Sequence, residues 1–223
     1  MMPRRTALRF ILLAACLGAG ANLAAAQPGM TAQPERAHEL QRAVQMDDVR
    51  TLKSLLDAGF DANRQLPVGE PALVVAVREG SMKALRVLLD APATRVDAPA
   101  VNGNTALMMA ALKRNRPAAE ALLARGAAAD RQGWTPLHYA AAGGDVDIAA
   151  LLLQHGARID AVSPTASGSF TPLMMAAREG QEEAALFLLT HGANARLKNG
   201  EGLTAAQIAE RADHKSIARA LAR

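Results

Sequence analysis

A column of leucines recurs along the chain at an interval that admits few architectures. Leu40, Leu73, Leu107, Leu137 and Leu173 each open a similar stretch, in steps of 33, 34, 30 and 36 residues. The first leucine of each Leu-Leu pair, Leu55, Leu88, Leu122, Leu152 and Leu188, repeats the same irregular steps. An alanine stands three residues after each opening leucine, at Ala43, Ala76, Ala110, Ala140 and Ala176, and Ala206 and Ala209 carry the register into a sixth, degenerate unit. A period near 33 residues is that of a stacked-repeat protein, in which no unit buries its apolar face alone.

Residues 133–157, GWTPLHYAAAGGDVDIAALLLQHGA, show what one unit contains. Thr135 is placed to cap a helix, and Pro136 sits in the first turn, where a missing N–H costs nothing. Leu137, Ala140 and Ala141 share one helical face. Gly143-Gly144 ends that helix in a left-handed turn. Asp145 caps a second helix whose inner face is Ile148, Leu151 and Leu152, and Gly156 closes it. The alanine column lets neighbouring first helices approach closely. With 50% hydrophobic residues but only 3% aromatic ones, the core must be built from Ala, Leu, Val and Met, which suits packed helices better than a sheet.

The TPLHYAA stretch, with its following Leu-Leu pair and closing Gly-Ala, resembles the ankyrin-repeat family over about residues 35–222. The resemblance is clearest in 133–157 and 169–193 and weakest at the ends, where polar residues such as Glu35, Arg36, Glu39, Asp213 and Lys215 would face solvent. It implies an all-α solenoid of about five to six helix-turn-helix units joined by β-turn loops. The units are read as 35–66, 67–100, 101–130, 131–166, 167–199 and a C-terminal cap at 200–223. Local departures carry expectations of their own. Pro71 replaces the capping Thr of the second unit. Arg114 stands where glycine is usual, with Asn115 expected to take the left-handed conformation. Ala91-Pro92 replaces the closing Gly-Ala, and the Ser/Gly-rich insertion at 160–170 is expected to be mobile.

Residues 1–26 read differently. Arg4, Arg5 and Arg9 precede an uncharged apolar run from Phe10 to Leu23, and Ala24-Ala25-Ala26 precede Gln27. This is the layout of a cleaved secretory signal, followed by a linker at 27–34, and it predicts a bacterial protein located in the periplasm. The alternative is a lipoprotein anchored through Cys16, since Leu13-Ala14-Ala15-Cys16 resembles a lipobox. Cleavage removes three arginines and no carboxylate, so the formal charge falls from +4 to +1. No basic run remains to bind nucleic acid, and no stretch remains for membrane insertion. Cys16 is the only cysteine, so the mature chain would hold no thiol and no disulfide.

The residue types of a catalytic centre do not converge. His155 and His191 occupy one repeat position before the closing glycine, where they compensate helix dipoles. His138 belongs to the TPLH pattern, whose family role is to bond the neighbouring turn. Asp145 and Asp147 do not face each other, and the serines have no partner histidine in register. Met108-Met109 and Met174-Met175 read as core packing. The chain is expected to be non-enzymatic and monomeric, and to need no cofactor or metal.

A binding surface remains. At 8–10 Å per helix layer, five or six units make a curved scaffold roughly 50 Å long. The resemblance implies that its concave face binds a protein partner. The residue before each cap runs Glu70, Asn104, Trp134, Phe170, Leu203, changing from polar to large and apolar. Trp134, Phe170 and Leu203 are therefore candidate anchors for a partner, the alternative being that the rings pack on adjacent loops. Groove-facing candidates on the first helices are Arg78, Glu79, Leu112, Lys113, Arg178, Glu179, Glu210 and Arg211. Two roles fit such a surface: adaptor or stabiliser of an exported partner, or inhibitor of a toxin or enzyme reaching the same compartment, as immunity proteins are.

Overall fold

The computed structural model describes residues 33–222. The expected signal, the lipobox cysteine and most of the linker lie outside the described residues. Among the described residues there is no strand, and twelve α-helices follow one another in six pairs: α1 Gln33–Gln45 with α2 Val49–Asp57, α3 Ala72–Glu79 with α4 Met82–Asp90, α5 Ala106–Leu112 with α6 Arg116–Ala124, α7 Pro136–Gly143 with α8 Val146–Gln154, α9 Pro172–Arg178 with α10 Glu182–Thr190, and α11 Ala205–Arg211 with α12 Lys215–Leu221. Each helix packs against its pair mate. The odd-numbered helices also pack on one another in chain order to form an inner layer, and the even-numbered ones form an outer layer.

The two leucine columns and the alanine column are all buried, and they run through the stack as one core. Each short helix is nucleated by its caps as much as by its packing. The Thr105, Thr135, Thr171 and Thr204 hydroxyls engage groups three residues on. Asp145 accepts the Ile148 N–H at 2.9 Å, as its position predicts. Pro71 enters α3 with extended backbone and no side-chain cap.

Ala91 does leave α4 in an extended conformation, which sets up Pro92. The left-handed residue after α5 is Arg114 itself, at φ 55°, and not Asn115. Asn115 instead lies at φ −93° and caps α6, its side chain accepting the Ala118 N–H at 3.1 Å. The reason is register. The left-handed turn belongs to the same step of every unit, and a capping residue must follow it.

The insertion at 160–170, expected to be mobile, is folded. The Ser163 N–H donates to the Phe170 carbonyl at 2.8 Å, and the Phe170 N–H donates to Ser163 Oγ at 2.9 Å. A single 3-10 turn at Thr165–Ser167 fills the space between. The Gly200 N–H then donates to the Gly168 carbonyl at 2.8 Å, tying the insertion to the next loop. Ser163 is buried, so its hydroxyl replaces solvent as the partner of the loop backbone.

Candidate functional site

A recess on the inner layer spans the third, fourth and fifth pairs. It encloses about 320 Å³ and is lined by Leu112 of α5, Trp134, His138, Tyr139 and Ala142 of the fourth unit, Met175 and Arg178 of α9, and Glu179. Four of the eleven predicted site residues thus meet in one groove: Leu112, Trp134, Arg178 and Glu179. Most of the lining is apolar, with one ion pair at the rim. Arg178 donates through Nε to Glu179 Oε1 at 2.8 Å, and both side chains are well exposed.

The floor is rigid because of His138. This side chain is fully buried at 0% exposure. The Thr135 N–H donates to its Nδ1 at 3.1 Å, so Nδ1 carries the lone pair. Its Nε2 lies 3.0 Å from the Phe170 carbonyl, which can only accept, so Nε2 carries the proton. One imidazole therefore joins the cap of α7 to the loop entering α9, the structural role the sequence pattern assigns to it. Burial pushes its pKa down from 6.5 to about 4, against the opposing pull of the Phe170 and Ala161 backbone and of Asp130. A neutral imidazole with both nitrogens engaged holds the site together and has no nitrogen left to move a substrate proton.

The Trp134 ring is half-buried, edge-on to His138 at 5.2 Å and to Tyr139 at 6.4 Å between centroids. It does not stand free at a loop tip. The Tyr139 hydroxyl donates to Asn104 Oδ1 at 2.6 Å, locking that ring across to the third unit. Burial raises the Tyr139 pKa, so the phenol stays protonated.

Phe170, expected beside Trp134 as a second exposed anchor, is buried at 8% exposure, and the Arg178 guanidinium covers it 5.0 Å from the ring centroid. The folded insertion turns this residue inward onto the core. Leu203 is partly buried against the core in the sixth unit. Arg78 and Glu79 lie in the second unit and form a separate cluster with Glu70. Lys113 is the exposed C-cap of α5, beside Leu112 but outside the groove lining. Glu210 is exposed, and Arg211 pairs with Glu201.

Tyr139, Ala142 and Met175 belong to the groove although the sequence places none of them there and reads Met175 as core packing. The available signal was a column: Val75, Met109, Tyr139, Met175 and Ile208 stand four residues after their caps, and only Tyr139 is aromatic. A larger depression of about 660 Å³ lies between the ends of α2 and α4, but its one ring, Phe60, is buried. Among the described residues no group of three or more His, Cys, Asp or Glu side chains could hold a metal ion. Nor is any helix among them long and apolar enough to cross a membrane.

Comparison with known proteins agrees with this architecture. The family model described as ankyrin repeats matches in three copies, at residues 40–132, 93–163 and 163–223. The chain is 34% identical over 140 residues to neurogenic locus notch homolog protein 2 of Homo sapiens, covering 59% of this chain and 6% of that protein. It is 38% identical over 111 residues to neurogenic locus notch homolog protein 1 of Mus musculus, covering 48% of this chain and 4% of that one. The chain therefore spans about one-twentieth of the length of these animal relatives, and they lend no support to a bacterial exported origin.

Proposed function

Because the chain belongs to the ankyrin-repeat family, whose repeats mediate protein–protein binding, we propose that it is a non-enzymatic adaptor that binds a protein partner through the groove around Trp134. The observation that carries this reading is the convergence of Leu112, Trp134, Tyr139 and Met175, drawn from three consecutive inner helices and their caps, onto one open recess. Large half-buried rings with an apolar surround and a charged rim are the composition of binding hot spots. The compartment we propose is the bacterial periplasm. Its support is the arginine-led apolar run from Arg4 to Ala26.

Two measurements test the proposal. Intact mass of the exported protein should show Gln27 as the first residue; a lipid adduct on Cys16 would make it a membrane-tethered protein instead. Affinity capture from an envelope extract should return a partner whose affinity drops about thirtyfold with Trp134→Ala, the size expected for a hot-spot loss of about 2 kcal/mol. Glu70→Ala, outside the groove, should leave binding nearly unchanged. If Trp134→Ala retains full affinity, the groove is not the contact surface. Loss of a captured enzyme's activity on binding would identify the inhibitor role.

A further inference from the structure

The C-terminal ends of two inner helices share an arrangement that the fourth unit lacks. Seven residues after the cap, the second to sixth units carry Arg78, Leu112, Ala142, Arg178 and Arg211. In two of them this residue folds back over the residue preceding the cap. The Arg78 guanidinium pairs with Glu70 and also with Glu79, one residue further along its own helix. The Arg178 guanidinium lies over the Phe170 ring. The fourth unit has alanine at that position, followed by Gly143-Gly144, so no side chain of its own reaches back over Trp134. The groove is the space that the missing side chain leaves.

We propose that a protein partner fills this space with an arginine side chain. The proposal rests on the reading of the groove as the contact surface and specifies its occupant. The chain supplies the template in its own second and fifth units. The aliphatic stem of the incoming residue lies along Leu112, Ala142 and Met175, since long cationic side chains bury their methylenes on apolar surface. The guanidinium meets Trp134, the ring type that binds cations best, beside Tyr139. It also reaches Glu179. Arg178 meets Glu179 through Oε1, and the Glu179 side chain is 42% exposed, so its carboxylate stays open to a second cation. The groove thus offers a cation two rings, an apolar sleeve for the stem and a carboxylate that it shares with Arg178.

The experiment uses the intrinsic fluorescence of Trp134, the only tryptophan of the chain. The full chain is titrated with three blocked tripeptides, acetyl-Gly-X-Gly-amide, where X is arginine, its uncharged isostere citrulline, or leucine. Saturable change with the arginine peptide is expected, with binding about fivefold or more weaker for the other two. Ala142→Arg, which restores the template residue, should abolish the response at unchanged helical content and should itself shift the Trp134 emission. Equal or tighter binding of the citrulline or leucine peptide would overturn the cationic occupant. A response that survives Ala142→Arg would place the arginine elsewhere and overturn it too, as would the absence of any saturable response. None of these results touches the groove reading, which falls only if Trp134→Ala leaves partner affinity intact.

Discussion

His138 and its counterparts are one answer to one local problem: the N–H of each capping residue needs an acceptor three residues on. Thr135 finds the imidazole Nδ1, Thr204 finds Gln207 Oε1 at 2.9 Å, and Thr105 and Thr171 find the sulfurs of Met108 and Met174 at 3.5 and 3.4 Å. Pro71 has no N–H, and the corresponding residue is the apolar Val74. Met108 and Met174 are therefore core residues, as their sequence predicts, with an additional polar duty. Only the histidine version titrates. Above pH 6.5 the imidazole is neutral in both states, and its contribution to stability is fully present. As pH falls from 6.5 toward 4, the unfolded chain takes up the proton first, and this contribution drains away; below about 4 the loss is complete. The shift corresponds to roughly 3 kcal/mol. Protonation at Nδ1 also breaks the bond from the Thr135 N–H. We predict that His138→Met, the residue used by two neighbouring units, costs about 1 kcal/mol at pH 7 through the lost Phe170 contact. Its urea midpoint should then fall less steeply than that of the wild type between pH 7 and 4. Parallel pH profiles would show that His138 is not the titrating group.

At the scale of the helix pair, the decisive residue is the one that turns the chain from inner to outer helix. It is left-handed in all six pairs: Asp47, Gly80, Arg114, Gly144, Gly180 and Asp213. Where glycine fills it, a Cβ meets backbone strain, and at Gly144 and Gly180 a neighbour as well. At Gly144, φ is 74° and a methyl would stand 2.2 Å from Gln181 Oε1. Gly144→Ala should therefore cost about 1–2 kcal/mol. Arg114 pays the strain without need, because its pairing with Asp145 is long at 3.8 Å and its side chain is 65% exposed. Arg114→Gly should stabilise the protein by up to about 1 kcal/mol in chemical denaturation. A destabilised Arg114→Gly would mean that the contact with Asp145 outweighs the strain. Asp47 shows a third use of the position: its carboxylate accepts the Ala84 N–H at 2.7 Å, capping α4 of the next pair, where Ser81 supplies no side-chain cap.

Across the whole molecule, each pair touches only its neighbours, so cooperativity is local in origin. Leu152 is fully buried in α8, between α6 and α10. Leu152→Ala should cost about 2–5 kcal/mol, the range for truncating a buried leucine. Amide exchange should accelerate most in α7 to α12 and least in α1 to α4, since the damage is felt through successive interfaces. Uniform acceleration along the chain would contradict nearest-neighbour stacking.

The helix pairing and the caps were legible in the sequence because each is dictated by residues a few positions apart, and the repeat period and core columns because that local pattern recurs about every 33 residues. Thr135 with Pro136, the alternation of leucine faces, and Asp145 before α8 state their roles locally. Half of the groove was legible as well, since Leu112, Trp134, Arg178 and Glu179 stand at repeat positions that face inward. The division between Trp134 and Phe170 was not. They occupy the same column, yet one ring lines a recess and the other is buried under Arg178. That difference depends on a side chain seven residues along a helix reaching back, on Ala142 failing to do so, and on the inserted loop at 160–170 closing through Ser163. Short-range propensity is set along the chain. Whether a ring is covered is set by what packs across from it, and only the stacked structure decides that.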